Sequence, residues 1–308
     1  MTYNLYNYDP SPSAAVAFAV FFGLSAAFHI WQVIRNRSWF FIPFVIGGIF
    51  EAVGYAARYY SAKQTPDWTT MPYVVQELLL LLAPSFFAAS IYMILGRVIR
   101  LLNGESNSLI RPSWLTKIFV TGDVLSFLMQ SSGRALVTPF PPPKKLLRDG
   151  LTCDICFLGG GMLATAKTTS SVSLGENIII AGLFVQVISF GLFIVVSIIF
   201  HRRMVATPMH LLVKTRIPWT RYMRVLYAAS ALILVRSIYR VAEYIQGNTG
   251  YLQSKEAFVY IFDATLMVIC CLLFNFFHPS GILSKSHEID EREDLEMMNQ
   301  DGYRSYSA

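Results

Sequence analysis

The chain has 308 residues, of which 54% are hydrophobic and only 14% charged, with a formal net charge of +6. Soluble domains carry about 25% charged residues, so this composition places the chain among membrane proteins. The positive balance does not point to nucleic acid, because the basic residues sit in loops between apolar runs, the pattern of cytoplasmic loops in membrane proteins.

A helix needs about 20 mostly apolar residues to cross a bilayer. Seven stretches qualify: Ser13–Ile34, Phe40–Tyr60, Val74–Ile99, Trp114–Ser132, Asn177–Phe200, Arg221–Ile245 and Ala257–Phe277. The expected fold is therefore an all-α, seven-transmembrane-helix bundle over residues 13–280, with an exoplasmic N-terminus at 1–12 and an acidic, disordered cytoplasmic tail at 281–308. The first dozen residues are polar and lack the basic start of a cleavable signal peptide.

In chain order, the first span holds a lone His29, read as a satisfied core residue. The second carries Glu51, Tyr55 and Arg58 at i, i+4 and i+7, which is one helix face. The third opens with Gln76 and Glu77 and is interrupted by Pro84, which a membrane helix tolerates as a kink. The fourth carries Asp123 and Gln130, seven apart, and the fifth Gln186 near its middle. The sixth repeats the one-face spacing with Arg236, Arg240 and Glu243, and the seventh with Glu256, Tyr260 and Asp263. Ionisable groups inside a membrane cost about 2.5–3.5 kcal/mol each at a helix centre on insertion scales, so they are expected to face inward and pair. The arginines of the sixth span are expected to meet Glu256 and Asp263 of the seventh. A structural ion-pair network and a polar cavity for an amphiphile's headgroup both fit this pattern.

Lys and Arg set the orientation. Arg35 and Arg37, then Arg97, Arg100, Arg111 and Lys117, then Arg202, Arg203, Lys214, Arg216, Arg221 and Arg224 mark the first, third and fifth loops. The second and sixth loops carry only Lys63 and Lys255. The basic loops are cytoplasmic by the positive-inside rule, which puts the N-terminus outside and most of the ionisable residues in the outer half. The sequon Asn36-Arg37-Ser38 then lies on the cytoplasmic side and stays unmodified. Cys153 and Cys156 form a lone CxxC with no further ligands to complete a zinc site, so no metal is expected. No GxxxxGK, HExxH or GxSxG motif occurs, which argues against ATP hydrolysis and against an enzyme; no cofactor is expected.

The run Arg236-Ser-Ile-Tyr-Arg240-Val-Ala-Glu243, continuing to Glu256, Tyr260, Asp263, Met267 and His278-Pro279, resembles the fungal lipid-translocating exporter family. Glu51-Ala-Val-Gly54-Tyr55-Ala-Ala-Arg58, Ala83-Pro84-Ser-Phe-Phe-Ala-Ala-Ser90, Thr121-Gly122-Asp123 with Gln130, and Gly182-Leu-Phe-Val-Gln186 match its other helices. The resemblance covers roughly residues 13 to 280. It implies an integral protein of the plasma membrane, or of the vacuole or another endomembrane, that translocates amphiphilic lipids such as sphingoid bases or sterol-like toxic compounds and confers resistance. The polar residues found from the helix faces are the same ones its motifs pick out, and on that agreement Glu51, Tyr55, Arg58, Asp123, Gln130, Gln186, Arg236, Arg240, Glu243, Glu256, Tyr260 and Asp263 are expected to form the substrate site. In the family pattern Gln-Ser-Ser-Gly is followed directly by Gly-Gly-Met, whereas here Arg134–Leu158 intervenes. That segment reads as an insertion or a retained intron, and its Arg134 as non-functional. A seven-helix receptor or sensor is the alternative; a lipid hydrolase is disfavoured because the five histidines are scattered.

Overall fold

The computed structural model describes residues 8–65, 69–102, 104–137, 169–206, 219–246 and 250–279. Every long element among them is helical. Helix α1 (Pro12–Arg35) starts where the Ser11 hydroxyl accepts from the Ala14 N–H, with proline in the first turn, where its missing N–H costs nothing. It stops at a tight turn in which Arg37 takes a positive φ of 49°. A short 3-10 turn, Trp39–Phe41, leads into α2 (Ile42–Ala62). Then follow α3 (Thr70–Leu101), α4 (Pro112–Val137), α5 (Thr169–Ala206), α6 (Trp219–Ile245) and, after one helical turn at Tyr251–Ser254, α7 (Glu256–Phe276). Each expected span falls on one of these helices, most of which run a few residues beyond it.

Six of the seven, all but α4, are long and apolar enough to cross a membrane. α4 is long enough at 26 residues but carries Lys117, Asp123, Gln130 and Arg134 among its apolar residues. The expectation of seven spans is thus met by composition for six. Residues 134–137 continue α4 rather than beginning a loop. The rest of 134–158, both CxxC cysteines and the acidic tail lie outside the described residues.

Each helix packs on its chain neighbours, α7 returns to α1, and α3 also reaches α6. The bundle therefore closes on itself. Its outside is apolar: Val20, Leu24, Phe28, Trp31 and Ile34 of α1 are all exposed, as expected where lipid replaces water as the solvent. At the end where α1 finishes and α2 begins, the core is aromatic. Phe44 stacks on Phe41 at 4.6 Å and on Phe87 at 4.5 Å, and meets Phe274 edge-on at 4.9 Å. His29 packs edge-on against Phe44 and hydrogen-bonds the Cys271 carbonyl at 3.3 Å, which places it in the core as its sequence context suggests. The opposite end, where α1 begins, is filled instead by charged groups.

Candidate functional site

Those charged groups come from the end of α2, the start of α3, the end of α4, the second half of α6 and the start of α7. Up–down connectivity brings these segments to one level although they are far apart in sequence. The centre is Asp263. It lies in a π-helical turn, Tyr260–Ala264, a wide turn of the kind that often occurs at functional sites. Its two carboxylate oxygens accept from Arg236 Nε and Arg240 Nη2 respectively. Arg240 also donates to Glu243 one turn away at 3.0 Å. All four residues are buried.

Arg236 has one further partner that sequence reading does not anticipate. Its Nη2 donates to the Leu80 carbonyl at 2.6 Å. Pro84 explains why that carbonyl is free: proline has no N–H, so the helix cannot bond the carbonyl four residues back. The bond that α3 lacks at Pro84 is thereby turned into an acceptor for a buried guanidinium.

A second knot joins three helices. Arg58 donates to Glu256 at 2.9 Å, to the Tyr260 hydroxyl at 3.1 Å and to the Tyr8 hydroxyl at 2.8 Å. Glu256 also accepts from the Ser11 backbone N–H at 2.9 and 3.0 Å, which ties the start of α1 to α7. Burial raises the Tyr8 hydroxyl above the ordinary tyrosine range, with Arg58 opposing, so it is neutral and can serve as an acceptor. This corrects one expectation. Both arginines of α6 engage Asp263, and Glu256 belongs to Arg58 of α2.

A third knot was not expected at all. Arg134 pairs with Glu77 at 2.6 Å and donates to Tyr244, whose ring it also faces at 5.3 Å. Glu77 is within electrostatic reach of Arg240 and Arg58, so this pair belongs to the same cluster. The signal was present in the spacing: Gln130 and Arg134 are four apart on the face that holds Asp123. The break in the family motif just before Arg134 concealed it.

Of the twelve residues named from sequence, nine come together here: Glu51, Tyr55, Arg58, Arg236, Arg240, Glu243, Glu256, Tyr260 and Asp263. Three do not join these ion pairs. Asp123 accepts from the buried Tyr92 hydroxyl at 2.9 Å, among Phe119, Phe190 and Phe193. Gln130 and Gln186 pair with each other at 3.2 Å across α4 and α5, where Ser126 links Gln130 to the Gly182 carbonyl. These polar contacts replace water inside an apolar bundle.

Several buried polar atoms of the cluster lack a hydrogen bond among the described residues, Arg134 Nε and Arg240 Nε among them, but only one belongs to a carboxylate. Glu51 Oε1 and the Tyr55 hydroxyl are buried with no hydrogen bond among the described residues. A fully satisfied structural network would not leave a buried carboxylate oxygen unbonded, since the cost of an unmade bond is about 1–3 kcal/mol and more for a charged group.

The profile of the family described as RTA1-like protein matches residues 44–140 and 147–286. The break in this match falls inside 134–158. Protoporphyrin uptake protein 1 of Saccharomyces cerevisiae is 34% identical, over 88% of this chain and 90% of its own length. Protein RTA1 of the same species is 33% identical, over 93% and 88%. The sphingoid long-chain base transporter RSB1, also from Saccharomyces cerevisiae, is 24% identical over 86% and 70%. No solved structure matches the chain. The chain belongs to the RTA1-like family.

Proposed function

We infer that this RTA1-like protein translocates amphiphilic lipids, taking a cationic or zwitterionic headgroup at the buried charge cluster while the hydrocarbon stays against apolar helix faces. The observation that carries this reading is the cluster itself. Charges from five helices are gathered at one end of an apolar bundle, and a carboxylate oxygen there has no hydrogen bond among the described residues. Glu51, Glu243, Glu256 and Asp263 suit an ammonium. Arg236 and Arg240 suit a phosphate or hydroxyl, or hold the carboxylates in place. The relatives' names speak of protoporphyrin uptake and sphingoid base transport. A long-chain base has the matching chemistry: one ammonium, hydroxyls and a single alkyl chain.

The orientation we propose has all seven helices crossing, the N-terminus outside and the C-terminus in the cytoplasm, most simply at the plasma membrane. The end opposite the cluster carries Arg35, Arg37, Arg97, Arg100, Arg202 and Arg203, whereas the cluster end carries Lys63 and Lys255 in its loops. A tag appended to the C-terminus should therefore resist protease added to intact cells and be cleaved after permeabilisation. Cleavage from outside would reverse the orientation.

The transport reading is tested by efflux of a labelled sphingoid base from preloaded cells, with surface level measured in parallel. Expression should raise efflux over an empty vector and raise tolerance to the toxic base. Glu243→Gln should lower efflux about tenfold or more at equal surface level, given the ~1.5–3 kcal/mol carried by a hydrogen bond to a charged group. Asp263 still holds Arg240 in that variant, so the fold is kept. Equal surface levels with no change in efflux by either protein would overturn transport and favour a sensing role.

A further inference from the structure

The cluster's charges do not balance. Among the described residues the cluster holds four guanidiniums: Arg58, Arg134, Arg236 and Arg240. Four carboxylates are bonded to them, Glu77, Glu243, Glu256 and Asp263. Glu51 is the fifth carboxylate and makes no ion pair among the described residues. It is 1% exposed, and its Oε1 has no hydrogen bond.

Among the described residues, the surroundings of Glu51 offer no other cation to neutralise it. From α6 it feels Arg236 and Arg240, and from α7 Asp263, but these three are committed to one another. The thiols of Cys270 and Cys271, also on α7, are within its electrostatic reach, and so is the Tyr55 hydroxyl one turn along α2. None of these three carries positive charge. α3 meets this part of α2 with Phe87 and Leu80 at Gly47 and Gly54. α1 meets it with Ala26 at Gly48 and Phe22 stacked on Tyr55. Both contacts are apolar. An ionised Glu51 would be an uncompensated buried charge, which proteins avoid by pairing or by taking up a proton.

We propose that Glu51 is a shared site for one proton and one organic cation, and that it couples lipid translocation to the proton gradient. With no lipid bound, the carboxyl holds a proton and the cluster is neutral. When a cationic headgroup arrives, the O–H bond of Glu51 breaks, the proton leaves to water, and the carboxylate pairs with the ammonium. The cluster is neutral again. Protonation from the opposite side reverses the exchange and releases the lipid. One proton crosses for each cation carried the other way, so no net charge moves. Such a cycle responds to a pH difference and not to membrane voltage. Arg236, Arg240 and Asp263 keep their pairs throughout and act as positioning residues. This inference rests on the translocation reading and adds its energy source.

The test uses the full chain in proteoliposomes with radiolabelled N,N,N-trimethylsphingosine, whose fixed charge stops it from crossing the bilayer unaided. Wild type should build a probe gradient of about tenfold per imposed pH unit, the value for one-to-one exchange. A potassium diffusion potential should leave that gradient unchanged. Glu51→Gln, which removes the charge without breaking an ion pair, should lose pH-driven accumulation. Glu51→Asp, which keeps a titratable carboxyl, should retain it at a reduced rate. PH-driven accumulation that survives in Glu51→Gln, or a gradient that follows voltage, overturns the proposal. A second measurement separates it from the translocation reading. Infrared difference spectra of the solubilised protein should show a protonated carboxyl band that disappears when the probe is added and is missing in Glu51→Gln. If that band behaves so while wild-type vesicles carry no probe, the exchange site stands and translocation fails. If the band is unaffected by Glu51→Gln, the exchange site fails whatever the flux.

Discussion

Asp263→Asn is expected to destabilise the protein by on the order of 3–5 kcal/mol. The reason is that Asp263 serves two buried arginines at once, through its two oxygens. Its loss leaves Arg236 with the Leu80 carbonyl and Arg240 with Glu243, and adds one uncompensated positive charge. Glu243→Gln should cost less, because Asp263 keeps Arg240. That order is diagnostic. If Arg240 were held by Glu243 alone, the two variants would cost the same. The measurement is the midpoint of thermal unfolding in detergent, read by loss of the monodisperse peak. Adding Arg236→Gln to Asp263→Asn should recover part of the loss, with a coupling of about 0.5–3 kcal/mol, as for residues in direct contact. Strictly additive losses would show that the ion pair is not formed.

The second large effect is steric. Gly133 lies where α4 crosses α5, and a Cβ there would stand 2.5 Å from the Gly175 carbonyl oxygen and 2.6 Å from Ile179. The obstruction is partly backbone, so no side-chain rotation relieves it and the helices must separate. Small residues at membrane helix crossings exist to allow such approach, since packing supplies much of the association energy where both surroundings are apolar. Gly133→Leu should cost about 1–3 kcal/mol or more, the range for overpacked interiors. It should also break the Gln130–Gln186 bond one turn away, which leaves two buried amides short of partners. Gly191, on the same α5, is the control. A Cβ there meets nothing within 4 Å, so Gly191→Ala should be neutral or slightly stabilising, because alanine favours the helix. Equal thermal midpoints for Gly133→Leu and Gly191→Ala would remove the close crossing of α4 and α5.

The linear sequence by itself determined the class, the helices and the polar faces. Runs of about 20 apolar residues and a 3.6-residue period are local properties, and each expected span appears as a helix at nearly the expected place. The stripes Glu51–Tyr55–Arg58, Arg236–Arg240–Glu243 and Glu256–Tyr260–Asp263 are local in the same sense, and all three face one cluster. Partner choice is different. Which guanidinium meets which carboxylate depends on how far each helix is shifted along its axis and rotated about it, and spacing within one helix contains neither quantity. Glu256 therefore went to Arg58 rather than to α6, and Arg134 of α4 reached Glu77 of α3. The same holds for the π turn under Asp263 and for the Leu80 carbonyl that Pro84 leaves free. Each is a local defect in helix bonding that acquires a partner only when a second helix packs against it, and only the folded bundle brings the two together.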